Sequence, residues 1–170
     1  DGTATVLSRH AEESLREKCL PRLAARRYED LWQGAMFLTE REGGSDVGRS
    51  ETRAVEDGVG WRLHGLKWFC SNASAELALA LARPEGAPEG TDGLGLFAVP
   101  RWQPDGSLNE CHLLRLKDKL GTRSMATGEI RLEGAFAYRV ASPPDGFRVM
   151  TEMLNLSRLY NAVASVAVLR

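Results

Sequence analysis

The sequence predicts an α+β fold in which an antiparallel β-barrel or β-sandwich is flanked by helices. Apolar residues recur at helical spacing near both ends of the chain, at Leu7, Ala11 and Leu15 and again from Phe147 onward. Between these ends, short extended runs alternate with turns rich in glycine and proline. At 170 residues the chain is long enough for one such domain with helical segments beside it.

Residues 1–33 are predicted to form the end of a helical domain. The four-residue spacing of Leu7, Ala11 and Leu15 predicts one amphipathic helix over about residues 4–19, which Pro21 ends or kinks. A second, short helix is expected over residues 22–31. Gly34 then breaks the helical rhythm.

Residues 34–143 are predicted to form the β domain. The extended runs are residues 35–39, 50–56, 60–69, 77–82, 94–99, 108–116 and 128–139. Asp57 and Gly58 predict a hairpin turn between the second and third runs, because glycine tolerates positive φ there. Several short strands in series predict a closed or stacked sheet, which hides its edges.

Residues 144–170 are predicted to begin a second helical domain. After Pro143 and Pro144, apolar side chains return at helical steps from Phe147. The chain starts without methionine and stops inside this apolar pattern, so we expect it to be a segment of a longer protein. Such a truncated helix should also expose apolar surface.

Composition argues against several classes of function. With 22 basic and 23 acidic residues, the net charge of −1 gives no overall attraction to nucleic acid or to anionic membranes. The cysteines and histidines are scattered without metal-ligand or disulfide spacing, at Cys19, Cys70, Cys111, His10, His64 and His112. No apolar run reaches the length of a membrane span, so we expect a soluble cytoplasmic protein that contains neither a metal site nor a disulfide framework.

The stretch Thr-Glu-Arg-Glu-Gly-Gly-Ser-Asp at residues 39–46 is the first candidate site. It follows an extended run, and its glycines and short polar side chains could bring backbone N–H groups and hydroxyls close to an anionic or carbonyl-rich ligand. A plain polar turn has the same composition, because glycine, serine and aspartate favour turns for conformational reasons. Both interpretations stay open on composition alone.

Three further clusters follow in the chain. Residues 67–72 (Lys-Trp-Phe-Cys-Ser-Asn) place aromatic rings beside donors at a strand end, which suits a planar heterocycle but also an ordinary core aromatic before a turn. Residues 117–127 again combine glycine, hydroxyls and cations just before a strand. Arg158 lies between apolar residues in the last helix, where it could anchor an anionic or carbonyl group or simply face solvent.

In this order and at these separations, the four clusters resemble the motifs of the acyl-CoA dehydrogenase family. That family carries a TEPxxGSD loop, a KxxITN segment, a KLGxRxSxT segment, and a helix that opens with GxGF and bears an arginine. The residues here are 39–46, 67–72, 119–127, and 145–147 with Arg158. Arg41 replaces the usual proline and Glu42 adds a carboxylate, which makes the chain look most similar to the alkylation-response (AidB-type) branch.

The resemblance implies that the protein binds FAD. Thr39 would hydrogen-bond the pyrimidine side of the flavin, Ser71 would reach the region of the flavin N5 atom, and Phe69 would pack beside the ring. Ser45 would contact the thioester or pantetheine arm of an acyl-CoA, and Arg158 would lie on the substrate side of the helical domain. Hydrogen-bond donors at the flavin edge stabilise the charge that a reduced flavin carries.

The resemblance also implies an oxidoreductase that dehydrogenates acyl-CoA thioesters at the α and β carbons. Such chemistry needs a carboxylate base, and some family members carry it just before the arginine that corresponds to Arg158. Ser157 stands there instead, so the base is expected beyond Arg170 and this segment should be catalytically incomplete.

Two other functions stay open. The first is a DNA-associated alkylation-response flavoprotein with a largely structural FAD, whose DNA contacts would lie outside these residues. The second is a β-barrel binding module without catalysis. The family resemblance further implies a homo-oligomer, usually a tetramer.

Overall fold

The computed structural model describes residues 2–42 and 44–170, and within them the chain forms three α-helices and seven β-strands. The helices are α1 (Gly2–His10), α2 (Glu13–Leu23) and α3 (Asp145–Leu169). The strands are β1 (Gly34–Phe37), β2 (Arg53–Glu56), β3 (Trp61–Ser71), β4 (Leu77–Pro84), β5 (Gly95–Pro100), β6 (Cys111–Leu116) and β7 (Thr127–Ala141). Short 3₁₀ turns occupy Tyr28–Asp30, Val47–Arg49 and Thr91–Gly93.

The strands close into a five-stranded barrel. Around the barrel the order is β4, β2, β3, β7 and β5, and β5 pairs with β4 to close the ring. β1 pairs with β4 outside this ring, and β6 pairs with β7. The α+β fold with a β-barrel between flanking helices is therefore confirmed, and each predicted extended run overlaps one of the strands.

Two of the strand pairings differ from a purely antiparallel barrel. β4 runs parallel to β1 over residues 77–80 and parallel to β2 at Arg83 and Pro84. The remaining pairs are antiparallel, including the β2–β3 hairpin, whose turn has Gly58 at φ +80° as predicted. The local sequence pattern gives the strand but not its partner, so only the folded chain shows these parallel pairs.

Strand β4 separates two apolar cores. Its leucines, Leu77, Leu79 and Leu81, pack against Val6 and Leu7 of α1 and residues of α3, in a core between the barrel and the helices. The alternating alanines of β4 face the interior of the barrel. Both faces of β4 are thus buried, and the small alanines leave space inside the barrel for larger side chains from other strands.

The N-terminal helical prediction was wrong in its details. The predicted single helix is interrupted between α1 and α2, where Glu12 has extended backbone dihedrals. Pro21 lies inside α2 and does not end it. In place of a second helix over residues 22–31, α2 ends at Leu23 and is followed by the Tyr28–Asp30 turn, whose side chains are all exposed. A short helix without an apolar face to bury gains little from folding.

The long C-terminal helix is confirmed, and its first turns are the part that packs on the barrel. Gly146, Val149, Met150 and Met153 are buried. A Cβ atom at Gly146 would lie 2.3 Å from the carbonyl oxygen of Leu94, so the start of α3 approaches the barrel backbone more closely than other residues allow. The half of α3 after residue 158 is exposed throughout.

Candidate functional site

The loop after β1 and the end of β3 lie side by side. The Trp68 N–H donates to the Thr39 carbonyl oxygen at 2.8 Å, which fixes the first residue of the 39–46 loop against β3. Phe69 and Ser71 are two residues apart on this strand and both are exposed, whereas Cys70 between them is buried. The structure therefore brings Thr39, Phe69 and Ser71 to one edge of the barrel, which we call the β3 edge.

A buried ion pair lies directly behind the β3 edge. The Lys67 ammonium is inaccessible to solvent and donates to Glu40 Oε1 at 2.6 Å and to the Leu81 carbonyl oxygen at 2.7 Å. The Glu40 carboxylate also accepts from the Thr52 hydroxyl at 2.6 Å and from the Glu51 N–H at 2.6 Å. This network ties both ends of the 40–52 segment to strands β3 and β4.

The network keeps Glu40 ionised. Burial by itself would raise the pKa of the Glu40 carboxyl, but the Lys67 charge and the hydrogen bonds from Lys67, Thr52 and Glu51 outweigh it and hold the pKa below its ordinary value. Burial also lowers the pKa of Lys67, and the Glu40 carboxylate opposes that change. The pair is thus a charged clamp inside the barrel.

Cations surround the indole ring of Trp68 beside the β3 edge. Lys117 Nζ lies 3.4 Å from the centroid of the Trp68 ring and 4.6 Å from that of Phe69. The guanidinium carbons of Arg115 and Arg41 lie 5.5 Å and 5.7 Å from the Trp68 centroid. The residue that replaces the usual proline of the first motif is therefore part of this aromatic and cationic cluster.

One carboxylate offsets part of this positive charge. Glu129 accepts hydrogen bonds from Lys117 and Arg115, and these bonds and charges hold its pKa below the ordinary value against the opposing effect of burial. The aromatic side of the β3 edge consequently carries more positive than negative charge, which suits an anionic or electron-rich ligand.

The third motif reaches the β3 edge through Thr127. The Ser71 and Thr127 hydroxyl oxygens lie 3.3 Å apart, and the two residues face each other across the β3–β7 pair. Lys119 Nζ donates to Thr127 Oγ1 at 2.9 Å. Three of the four sequence clusters, residues 39–46, 67–72 and 117–127, therefore meet at one place.

Among the described residues, no hydrogen bond or ion pair joins the other two predicted site residues to this edge. Ser45 is exposed in the 39–46 loop, in which Gly43 lies outside the described residues. Arg158 is exposed on α3, and among residues 2–42 and 44–170 it has no hydrogen bond or ion pair. Their predicted contacts with substrate stay predictions.

The Glu40–Lys67 clamp was not predicted from the sequence as a functional feature. A signal was present, because Lys67 follows Leu63 and Gly65 at two-residue steps and so shares the inward face of β3 with Leu63. A lysine at an inward position needs a buried partner. The partner, 27 residues away, could not be identified from local pattern.

Comparison with known proteins decides the family. Residues 35–135 match the family described as acyl-CoA dehydrogenase, middle domain, and this match covers more than half of the chain. The chain belongs to the acyl-CoA dehydrogenase family. Three of the four motifs, at residues 39–46, 67–72 and 119–127, lie within this match, and the resemblance read from the sequence is confirmed.

Two members of the acyl-CoA dehydrogenase family are similar over most of the chain. Acyl-CoA dehydrogenase family member 11 of Caenorhabditis elegans is 40% identical over 174 residues, covering 99% of this chain and 28% of the relative. The putative acyl-CoA dehydrogenase AidB of Escherichia coli K12 is 41% identical over 137 residues, covering 79% of this chain and 24% of the relative. The chain thus spans about a quarter of the length of these relatives.

A solved family member has the same fold. The crystal structure of Caenorhabditis elegans ACDH-11 in complex with C11-CoA superposes with a TM-score of 0.89 at 38% identity, covering 97% of this chain and 29% of that one. Among the helices that the structure describes here, none is long and apolar enough to cross a membrane.

FAD is the cofactor of the acyl-CoA dehydrogenase family, and the β3 edge has the chemistry that a flavin needs. Phe69 leaves 51% of its surface exposed, which provides an apolar face for a planar ring. Within the described part of the chain, the Thr39 hydroxyl has no hydrogen-bond partner, so it is free to donate to a ligand. The hydroxyls of Thr39 and Ser71 and the ring of Phe69 therefore fit the chemistry of FAD, and their individual contacts with it stay predictions.

Proposed function

We propose that residues 1–170 form the flavin-facing segment of an FAD-dependent oxidoreductase that dehydrogenates acyl-CoA thioesters. The observation that carries this proposal is the convergence of Thr39, Phe69 and Ser71 at the β3 edge of a barrel with the family fold. Bound there, FAD would accept the hydride equivalent removed from the substrate.

Each predicted residue has a defined part in this proposal. Thr39 donates its hydroxyl to the pyrimidine side of the flavin, Ser71 donates near N5, and Phe69 covers the ring. Ser45 and Arg158 contact the acyl-CoA. The C11-CoA complex of ACDH-11 supports an acyl-CoA as the substrate class, because that protein shares the fold at 38% identity.

The base that removes the substrate proton is proposed to lie outside these residues. Ser157 precedes Arg158, and a serine hydroxyl is not basic enough to remove such a proton unaided. Residues 1–33 and 144–170 would then be the adjoining parts of two helical domains that the complete protein contains. Coverage of about a quarter of each relative supports this division.

An oligomer is also part of the proposal. The exposed half of α3 carries Leu159, Val163, Val166 and Leu169, each at least 58% exposed. So much apolar surface on one helix is typical of a surface that further helices or subunits cover. Size-exclusion chromatography with light scattering on the complete protein should show more than one subunit, and a monomer at micromolar concentration would contradict this part.

The first test asks whether the complete protein carries flavin. Purified protein should be yellow, with a flavin absorption band and about one FAD per subunit. Anaerobic addition of saturated acyl-CoAs of increasing chain length should then bleach the band. A colourless protein that ignores added FAD would refute the proposal.

The second test addresses the two donors. Thr39→Ala and Ser71→Ala should each weaken FAD binding about fivefold, because each removes one hydrogen bond worth about 1 kcal/mol. Ser14→Ala, on the exposed face of α2, is the matched control and should bind FAD like the wild type. Unchanged affinity in both site variants would argue against the assigned positions.

The DNA-associated alternative stays a prediction. The chain has a net charge of −1, so any DNA contact of the complete protein would depend on residues elsewhere. A flavin-loaded protein that no acyl-CoA reduces, but that shifts DNA in a salt-dependent manner, would favour this alternative. The 41% identity with AidB is what keeps it open.

A further inference from the structure

Lys119 occupies a fixed position in the 117–127 segment. Its ammonium group donates to the Met125 carbonyl oxygen at 2.8 Å and to Thr127 Oγ1 at 2.9 Å, and it lies 3.5 Å from Thr122 Oγ1. The three donors of the group thus have three acceptors, which hold the Lys119 side chain in one direction. Its charged end points at the residue that neighbours Ser71.

The backbone fixes the other end of this arrangement. The Lys117 N–H donates to the Thr127 carbonyl oxygen at 2.8 Å, and the Ala73 N–H donates to the Ala126 carbonyl oxygen at 3.2 Å. Thr127 is buried and pairs directly with Ser71 in the β3–β7 register. The segment therefore cannot move away from Ser71 without breaking strand contacts.

The charge on Lys119 gives the hydroxyl groups a preferred direction. An ammonium group only donates, so Thr127 Oγ1 must accept from Lys119. The Thr127 O–H then turns away from the positive charge, and its available partner is Ser71 Oγ at 3.3 Å. A hydroxyl that accepts from a cation also becomes a stronger donor, which strengthens this second, long hydrogen bond.

We propose that Lys119 and Thr127 are positioning residues that make Ser71 a hydrogen-bond donor toward its ligand. Because Ser71 Oγ accepts from Thr127, the hydrogen of Ser71 is released for a group outside the protein. This inference rests on the proposed function, in which that group is the N5 atom of the oxidised flavin. It gives a role to the third motif, residues 117–127, because Thr39, Phe69 and Ser71 all lie outside that segment.

The chemistry of N5 makes the direction of the hydroxyl measurable. N5 is a hydrogen-bond acceptor in oxidised flavin, whereas in the two-electron reduced form it carries a hydrogen of its own. A fixed donor at Ser71 therefore stabilises bound oxidised FAD more than bound reduced FAD, unlike donors to the flavin oxygens, which stabilise the charge of a reduced flavin. Loss of the Lys119 to Thr127 to Ser71 chain should weaken binding of the oxidised form and raise the midpoint potential.

The experiment compares variants of the complete, flavin-loaded protein. Thr127→Val removes the hydroxyl at nearly constant shape, and Lys119→Met removes the charge while it keeps the length of the side chain. Thr127→Ser retains the hydroxyl and serves as the rescue variant. Ser124→Ala is the matched control, because Ser124 is exposed in the same segment and has no hydrogen bond among the described residues.

Thr127→Val should weaken binding of oxidised FAD about fivefold, the effect of one ordinary hydrogen bond. The midpoint potential should rise by about 20 mV, which is that fivefold converted at about 30 mV per tenfold for a two-electron couple. Lys119→Met should give a change of the same sign, about twofold to fivefold, since Thr127 keeps a hydroxyl that is no longer oriented. Thr127→Ser and Ser124→Ala should match the wild type.

A double variant separates this role from simple support of the loop. If Thr127 acts through Ser71, adding Thr127→Val to Ser71→Ala should cause no further change in affinity or potential. Additive effects would overturn the inference, and so would weaker binding of both redox forms with an unchanged potential. Should Lys119→Met fail to fold, Thr127→Val and its double variant decide the question.

The outcome also distinguishes the inference from the proposed function. Flavin binding with wild-type affinity and potential in both Lys119→Met and Thr127→Val would overturn the inference and leave the proposed function in place. A Ser71→Ala variant without effect would overturn the inference together with the role of Ser71. A complete protein that binds no FAD would overturn both.

Discussion

Removal of the buried Lys67 ammonium should loosen the segment that carries Thr39. In Lys67→Met the Glu40 carboxylate loses its counter-charge, and the Leu81 carbonyl oxygen loses its donor at 2.7 Å. Breaking a buried ion pair by removing one partner costs about 3–5 kcal/mol, because the remaining charge is buried without compensation. The clamp joins β3, β4 and the 40–52 segment, so we expect the cost to appear as local opening there.

Amide hydrogen exchange of the complete protein measures this opening directly. The N–H groups of Glu51 and Thr52 donate to the Glu40 carboxylate, at 2.6 Å and 3.3 Å, and are the natural reporters. A loss of about 3–5 kcal/mol corresponds to a fall in their protection of about a hundredfold to a few thousandfold. Peptides that cover residues 39–52 and 61–71 should therefore exchange much faster.

A control variant and a compensating variant test whether the buried ion pair holds the 40–52 segment. Lys18→Met removes an exposed ammonium that donates to the Tyr138 hydroxyl at 2.8 Å, and it should change protection little. Glu40→Gln combined with Lys67→Met leaves no unpaired charge and should recover part of the loss. If Lys67→Met exchanges as slowly as the wild type in both peptides, the clamp does not hold the 40–52 segment.

Three other perturbations test separate parts of the structure. The pKa of Glu40 lies below its unfolded value of about 4.3. The stabilising effect of the Glu40 charge is therefore present above that pH and is lost as the pH falls through the folded pKa. Glu40→Gln should flatten this acid dependence of stability in a pH series of urea unfolding. Gly146→Ala should destabilise the docking of α3 by about 1–3 kcal/mol through a clash with the Leu94 carbonyl, seen as a lower Tm, whereas Gly121→Ala, with open space around it, should not. Asn109→Leu should lower the free energy of unfolding in urea by about 3 kcal/mol, because the buried Asn109 side chain makes two hydrogen bonds to Phe136 and one to the Pro100 carbonyl oxygen. A loss below about 1 kcal/mol would contradict the idea that Asn109 joins these strands.

The sequence by itself determined the kinds of element and their order along the chain. Alternating apolar residues and turn signals are local, so each predicted run overlapped a strand, and the helical spacing after Pro144 marked α3. The order of the motifs was enough to indicate the family. The N-terminal helices were less predictable, because the break at Glu12 carries neither glycine nor proline to mark it.

Only the tertiary structure decided which residues meet. The parallel pairing of β4 with β1 and β2, the Glu40–Lys67 clamp and the contact of Ser71 with Thr127 join positions that are distant in sequence. Lys67 and Ser71 look alike as polar residues near a strand end, yet one is inaccessible inside the barrel and the other faces out. A strand alone decides which residues share a face. Only closure of the barrel makes one of those faces an interior, and it is there that the Lys67 charge meets Glu40.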